Sequence, residues 1–109
     1  MRLVVLVLAA LAFTASPAQA KSCNPYRLGS GYITSMKTKG VGCPAGRSIA
    51  NAQAKCRHAH GIKGKCGHKV EGYSCREGKR SDNGTEFDAA VTCAKGKRRV
   101  VFTYQQNYK

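Results

Sequence analysis

The chain opens on an unbroken apolar run, Leu3 to Phe13, and past residue 20 its apolar positions come singly or in alternation. From Tyr32, the stretch YITSMKT is β-branched and aromatic and sets Tyr32, Thr34, Met36 and Thr38 on one side, which predicts a strand. In CPAGRSIANAQAKCRHAHG, Ala45, Ile49, Ala52, Cys56 and Ala59 recur at steps of four and three, the spacing of one helical face. Pro44 suits a first helical turn and Gly61 a residue just past a helix end. After a loop over 61–68, KVEGYSC predicts a second strand. EFDAAVTC then alternates Phe87, Ala89, Val91 and Cys93 inward, AKGK turns the chain, and RRVVFTY returns with Val100, Phe102 and Tyr104 on one face. Phe87 to Tyr104 is therefore a predicted hairpin. Residues 21–30 are polar and turn-rich and read as a tail held by Cys23. The order is β-α-β-β-β, an α+β fold with one helix across an antiparallel sheet of about four strands.

The apolar run also has neighbours that give it a meaning. Arg2 precedes it and Ala18-Gln19-Ala20 follows as a small-x-small site, the layout of a secretory signal peptide. The run is shorter than the roughly 20 residues that span a bilayer. Cleavage after Ala20 and an extracellular destination are expected, with residues 21–109 as a single domain and no transmembrane segment in the mature chain.

All six cysteines lie beyond residue 20. An even count in a small exported chain predicts a disulfide framework. Each bridge contributes about 2–4 kcal/mol, much of the stability a domain of this size can have. Cys43 and Cys56 are 13 residues apart on the predicted helix, about 20 Å, and a disulfide needs Cα atoms within about 7 Å. They are not partners. If the helix runs back along the sheet, its start meets the end of the second strand and its tail meets the 61–68 loop. That arrangement predicts Cys43–Cys75, Cys56–Cys66 and Cys23–Cys93, although spacing alone does not determine connectivity.

The pieces GVGCPAGRSIANAQ, GYSC and VTCAKGKRRVVFTY resemble a class of small secreted actinobacterial domains of unknown function. That class pairs a cysteine-started helix with a GY-x-C strand and a closing hairpin of the form C-x-x-G-basic-V-x-F. The resemblance covers roughly residues 31–105 and implies a disulfide-stapled fold without implying catalytic residues. Cys56 and Cys66 are additions to the pattern, which favours their pairing with each other.

Charge changes the picture most. The chain carries 19 Lys and Arg against five acidic residues, a formal charge of +14, and loss of Arg2 with the leader makes it +13. Such a field favours anionic partners: an envelope polymer, a membrane surface or nucleic acid. The assumed meander brings the 94–99 turn to the end where the second strand begins. Lys63, Lys65, His68, Lys69, Lys95, Lys97, Arg98 and Arg99 are then expected to form one basic pole, joined by Arg57, His58 and His60 from the helix tail. Glu77, Asp82, Glu86 and Asp88 fall at the opposite connection.

Other chemistries find less support. His58, His60 and His68 supply imidazoles suited to a secreted ribonuclease, but His58 and His60 point about 200° apart on a regular helix. Cys56 with His60 and Cys66 with His68 have zinc-ligand spacing, but export disfavours free thiols, so no metal and no cofactor are expected. No Gly-x-Ser-x-Gly elbow, phosphate-cradling glycine loop or spaced carboxylate pair is present. Asn83-Gly84-Thr85 matches a glycosylation acceptor, which matters only in a eukaryotic secretory pathway, and a simple turn is the stronger reading. Two classes remain: a non-catalytic domain binding an anionic extracellular partner, and an inhibitor-like module presenting loop 76–86 to an extracellular hydrolase.

Overall fold

The computed structural model describes residues 20–108. The predicted leader, Ala20 apart, lies outside them. The elements are β1 (Lys21–Cys23), β2 (Tyr26–Leu28), β3 (Gly31–Lys39), α1 (Cys43–His58), β4 (Ser74–Glu77), β5 (Ser81–Asp82), β6 (Glu86–Lys95) and β7 (Arg98–Asn107). They form one helix on an antiparallel sheet held by three disulfides, as the pattern predicts. The sheet has seven strands rather than about four. Its main path runs β1-β3-β7-β6-β4, with β2 also on β3 and β5 also on β6. The extra strands are two or three residues long, too short to show a period of their own.

The long hairpin follows its alternation throughout. Phe87, Ala89, Val91 and Cys93 on β6 and Val100, Phe102 and Tyr104 on β7 are buried, and in register Ala89 faces Tyr104 and Val91 faces Phe102. Gly96 occupies the first position of the two-residue turn between Lys95 and Arg98 with φ of 57°, the left-handed region in which glycine costs least. β3 departs from simple alternation. A bulge between Ile33 and Ser35 lets Ile33, Met36 and Thr38 all point inward, while Tyr32 and Thr34 face solvent. One extra residue shifts the face, so Tyr32 and Thr34 do not join Met36 as the period-2 reading requires.

The helix packs against β3, β1 and β7. Its buried face is Gly46, Ile49, Ala50, Gln53, Ala54, Cys56 and Arg57, rotated from the Ala45–Ala52–Ala59 stripe because two polar residues lie inside it. Helix and sheet approach closely at Gly46, where a Cβ atom would stand 2.7 Å from Thr38 Cγ2 and 3.0 Å from Met36 Sδ. Tyr73 joins the same core from the segment after the helix.

Two predicted disulfides are overturned. The bridges are Cys23–Cys43, Cys56–Cys66 and Cys75–Cys93, so Cys43–Cys75 and Cys23–Cys93 do not form. Residues 21–28 are no tail. They fold back along β3, setting Lys21 opposite Thr38 and Cys23 opposite Met36, beside the helix start that carries Cys43. Nor does the second strand begin at the helix tail. Residues 59–73 return along the helix, where Ser48 Oγ donates to Glu71 Oε1 at 2.9 Å. The chain reverses at Glu71 and Gly72, both with positive φ, between the bridged residues Val70 and Tyr73. β4 therefore begins near the β6–β7 turn, and Cys75 lies directly across from Cys93.

Candidate anion-binding surface

The topology divides the expected basic pole into two groups. Lys95, Lys97, Arg98 and Arg99 stay together at the β6–β7 turn, with Lys95 opposite Arg98 and Ala94 opposite Arg99. The end of β3 supplies further cations beside them. Lys39 is the register partner of Arg99, and Lys37 follows two residues earlier opposite Val101. Both alternate with the buried Met36 and Thr38, so they lie on the face of the sheet away from the helix. Arg76 joins that face from β4, opposite Thr92.

The outer face between these cations is lined by small side chains. Ala90, Thr92 and Ala94 on β6 floor a shallow hollow of about 590 Å³ bounded by Arg76 and Arg99. A second, of about 220 Å³, lies among Lys37, Lys39, Arg99 and Val101. Glu86 and Asp88 are the acidic residues of β6 on this face, both well down the sheet, opposite Asn107 and Gln105. Among the described residues the ion pairs are Lys63–Asp82 and Arg80–Glu77. None of the turn-end cations is neutralised by a carboxylate.

Lys63 and Lys65 lie on the first part of the segment after the helix tail, away from the turn, whereas His68 and Lys69 lie further along it, lining a hollow with Ser74 and Cys75, which pair with Ala94 and Cys93. Lys63 Nζ lies 3.9 Å from Asp82 Oδ2 and 4.6 Å from the Tyr108 ring centroid. Asp82 pairs with Phe87 near the start of β6, about 25 Å of strand away from Lys95 at 3.4 Å per residue. The separation arises because the 59–73 segment begins at the far end of the sheet. Asp82 and Glu86 lie at the end away from the hairpin turn, with Lys63 among them, whereas Glu77 stands opposite Val91, midway along β6, and lines the same hollow as Arg76 and Arg99. Tyr108 donates a hydrogen bond to Asp82, and this, with the Gly84 N–H at 2.8 Å, holds the Asp82 carboxyl below the usual carboxylate range.

Arg80, Arg57, His58 and His68 are engaged within the fold. Arg80 donates Nε to Glu77, Nη1 to Lys63 O at 2.6 Å and Nη2 to Gly64 O at 2.8 Å, and its guanidinium stacks on Phe87. Arg57, expected in the basic pole, is 2% exposed and donates Nε to Gln53 Oε1 at 3.0 Å. Burial lowers its pKa. His58 Nε2 donates to the buried Gln106 Oε1 at 2.7 Å. His68 contacts the Cys56–Cys66 bridge rather than any turn cation. The imidazoles and the turn cations do not share a site.

Lys37, Lys39 and Arg76 are site residues absent from the sequence reading. The signal for the lysines is present in it: a strand whose inward residues are Met36 and Thr38 puts Lys37 and Lys39 outward. Loop 76–86 is mostly folded back on β6 as β4 and β5, with Asn83 to Thr85 forming a turn capped by the Asn83 carboxamide. Comparison with family models, curated proteins and solved structures yields no match for this chain.

Proposed function

We propose that this chain is an exported, non-enzymatic domain that holds an anionic extracellular polymer on the turn end and outer face of its sheet. One observation carries the reading. Lys37, Lys39 and Arg99 share the outer face by strand register beside the turn residues Lys97 and Arg98, while Arg57, Arg80 and Lys63 are engaged elsewhere and Lys95 lies over the Tyr73 ring at 5.9 Å. Cations free of carboxylates attract polyanions and release counterions on binding. The leader pattern and the three bridges support export. An inhibitor reading is weaker because loop 76–86 lies along β6 instead of projecting.

The test uses oxidised 21–109 and a labelled RNA oligonucleotide as the polyanion, with retention and cleavage followed together across a salt series. Retention that falls steeply with salt, without cleavage, supports the reading. Cleavage would make the protein a nuclease, and no retention at low salt would leave the cations as solvating charge.

A further inference from the structure

A different part of the molecule carries chemistry independent of the basic surface. The Cys56–Cys66 bridge closes a separation of ten residues at the helix tail, outside the sheet. Cys56 is buried, whereas Cys66 is half-exposed on a hollow of about 360 Å³ with Gly67, His68, Lys69, Ser74 and Cys75. His68 Nε2 lies 3.2 Å from Cys56 Sγ. Its other nitrogen, Nδ1, is 2.8 Å from the Lys69 carbonyl oxygen. A carbonyl only accepts, so Nδ1 carries a hydrogen and Nε2 is aimed at the sulfur. A backbone partner on one ring nitrogen is the usual means of fixing the orientation of a working imidazole.

We propose that Cys66, Cys56 and His68 form a thiol–disulfide exchange site for small anionic thiols. An incoming thiolate approaches through the hollow and attacks Cys66 Sγ, the exposed sulfur. Its electron pair forms the mixed disulfide with Cys66. The Cys56–Cys66 bond breaks and its pair leaves on Cys56 Sγ, which takes a proton from solvent by way of His68 Nε2, the ring nitrogen beside it. A second thiol then resolves the mixed disulfide, leaving two protein thiols and the oxidised thiol dimer. Stabilising the departing thiolate accelerates such exchange. Lys65, His68 and Lys69 around Cys66 favour a thiol that carries a carboxylate. The other two bridges tie strand to helix and strand to strand, so the fold survives opening of this one.

Oxidised 21–109 is incubated with reduced glutathione, trapped with iodoacetamide over time and mapped by peptide mass. Cys56 and Cys66 are expected to be labelled at least tenfold faster than the other four cysteines, with the first glutathione adduct on Cys66. Cysteamine, a cationic thiol, reacts more slowly at equal thiolate concentration. His68→Ala slows opening at least fivefold while Cys75–Cys93 stays protected. If that variant loses this protection, His68→Gln takes its place. Simultaneous opening of all three bridges, a first adduct on Cys56, or an unchanged rate in the folded His68 variant would overturn the proposal.

Discussion

Arg57 lies face-on to Tyr104, its guanidinium carbon 3.7 Å from the ring centroid, with both residues almost fully buried. Here a charge that belongs to the surface by composition is part of the core. A desolvated cation over an aromatic face contributes about 2 kcal/mol, and the Gln53 hydrogen bond adds to it. Arg57→Ala removes both and leaves a cavity and an unpaired Gln53 oxygen. A loss of about 3 kcal/mol is expected, read as a lower urea midpoint with an unchanged slope. Polymer retention is expected to stay at the parent level, because Arg57 is no part of the basic surface.

Tyr104 sets an alkaline limit. Burial pushes its hydroxyl pKa up to about 12, with the Arg57 charge opposing, and the oxygen has no hydrogen-bond partner among the described residues. A phenol whose folded pKa is raised contributes stability that is complete below the unfolded value near pH 10 and lost as pH rises through about 12. Tyr108 is also raised to about 12, so the coupled step is expected in the folded circular dichroism signal, falling as pH rises through about 12. Tyr104→Phe removes an unpaired buried hydroxyl, so it should raise stability at pH 7 by about 1 kcal/mol and abolish that coupled step.

Some of this was legible and some was not, for reasons of length and burial. The β6–β7 hairpin reads correctly because ten-residue strands with one wet face display their period in full. The helix is legible too, but its buried face is not: Gln53 and Arg57 count as surface in any hydropathy pattern, and only Tyr104 and the sheet make them interior. β1 and β2 are three residues each and form through pairing with β3 alone, so nothing local marks them. Missing β1 displaced Cys23 and with it the disulfide assignment. The basic turn survived because the hairpin did. Lys63 and Lys65 lie far from it, since the path of an irregular segment leaves no periodic trace.

The contact at Gly46 pits two effects of opposite sign. Alanine is favoured over glycine inside a helix by about 1 kcal/mol. Its Cβ, however, would stand 2.7 Å from Thr38 Cγ2 and 3.0 Å from Met36 Sδ, and the buried, β-branched Thr38 side chain is restricted at χ1. Overpacking of this kind costs about 1–3 kcal/mol, which outweighs the propensity gain. Gly46→Ala is expected to lower the thermal midpoint, and adding Thr38→Ser, which removes the clashing methyl, should recover most of the loss.

Arg80 clasps the 59–73 segment to the β4–β5 connection through Glu77, Lys63 O and Gly64 O. The fork geometry of guanidinium reaches all three at once, and an ammonium does not. Arg80→Ala leaves the nearly buried Glu77 carboxylate, 12% exposed at its side chain, without its partner, at a cost of about 3 kcal/mol. Arg80→Lys should recover less than half. The local signature is proteolytic: trypsin is expected to cut after Lys63 and Lys65 in both variants before the rest of the domain unfolds.

The division of the cations into two groups makes the binding site separable by charge reversal. Lys39→Glu with Arg99→Glu alters register partners on the outer face, whereas Lys63→Glu with Lys65→Glu changes net charge by the same amount on the 59–73 segment. If total charge alone governed association, the two double variants would weaken polymer retention equally. A localised site weakens with the first pair far more than with the second. Each phosphate contact removed lowers the slope of log affinity against log salt by about 1, so the slope should fall by about 2 for the first pair and stay near the parent value for the second. Lys63 offers a further contrast: it is already paired with Asp82, so its reversal should show in stability, through repulsion of that carboxylate, before it shows in binding.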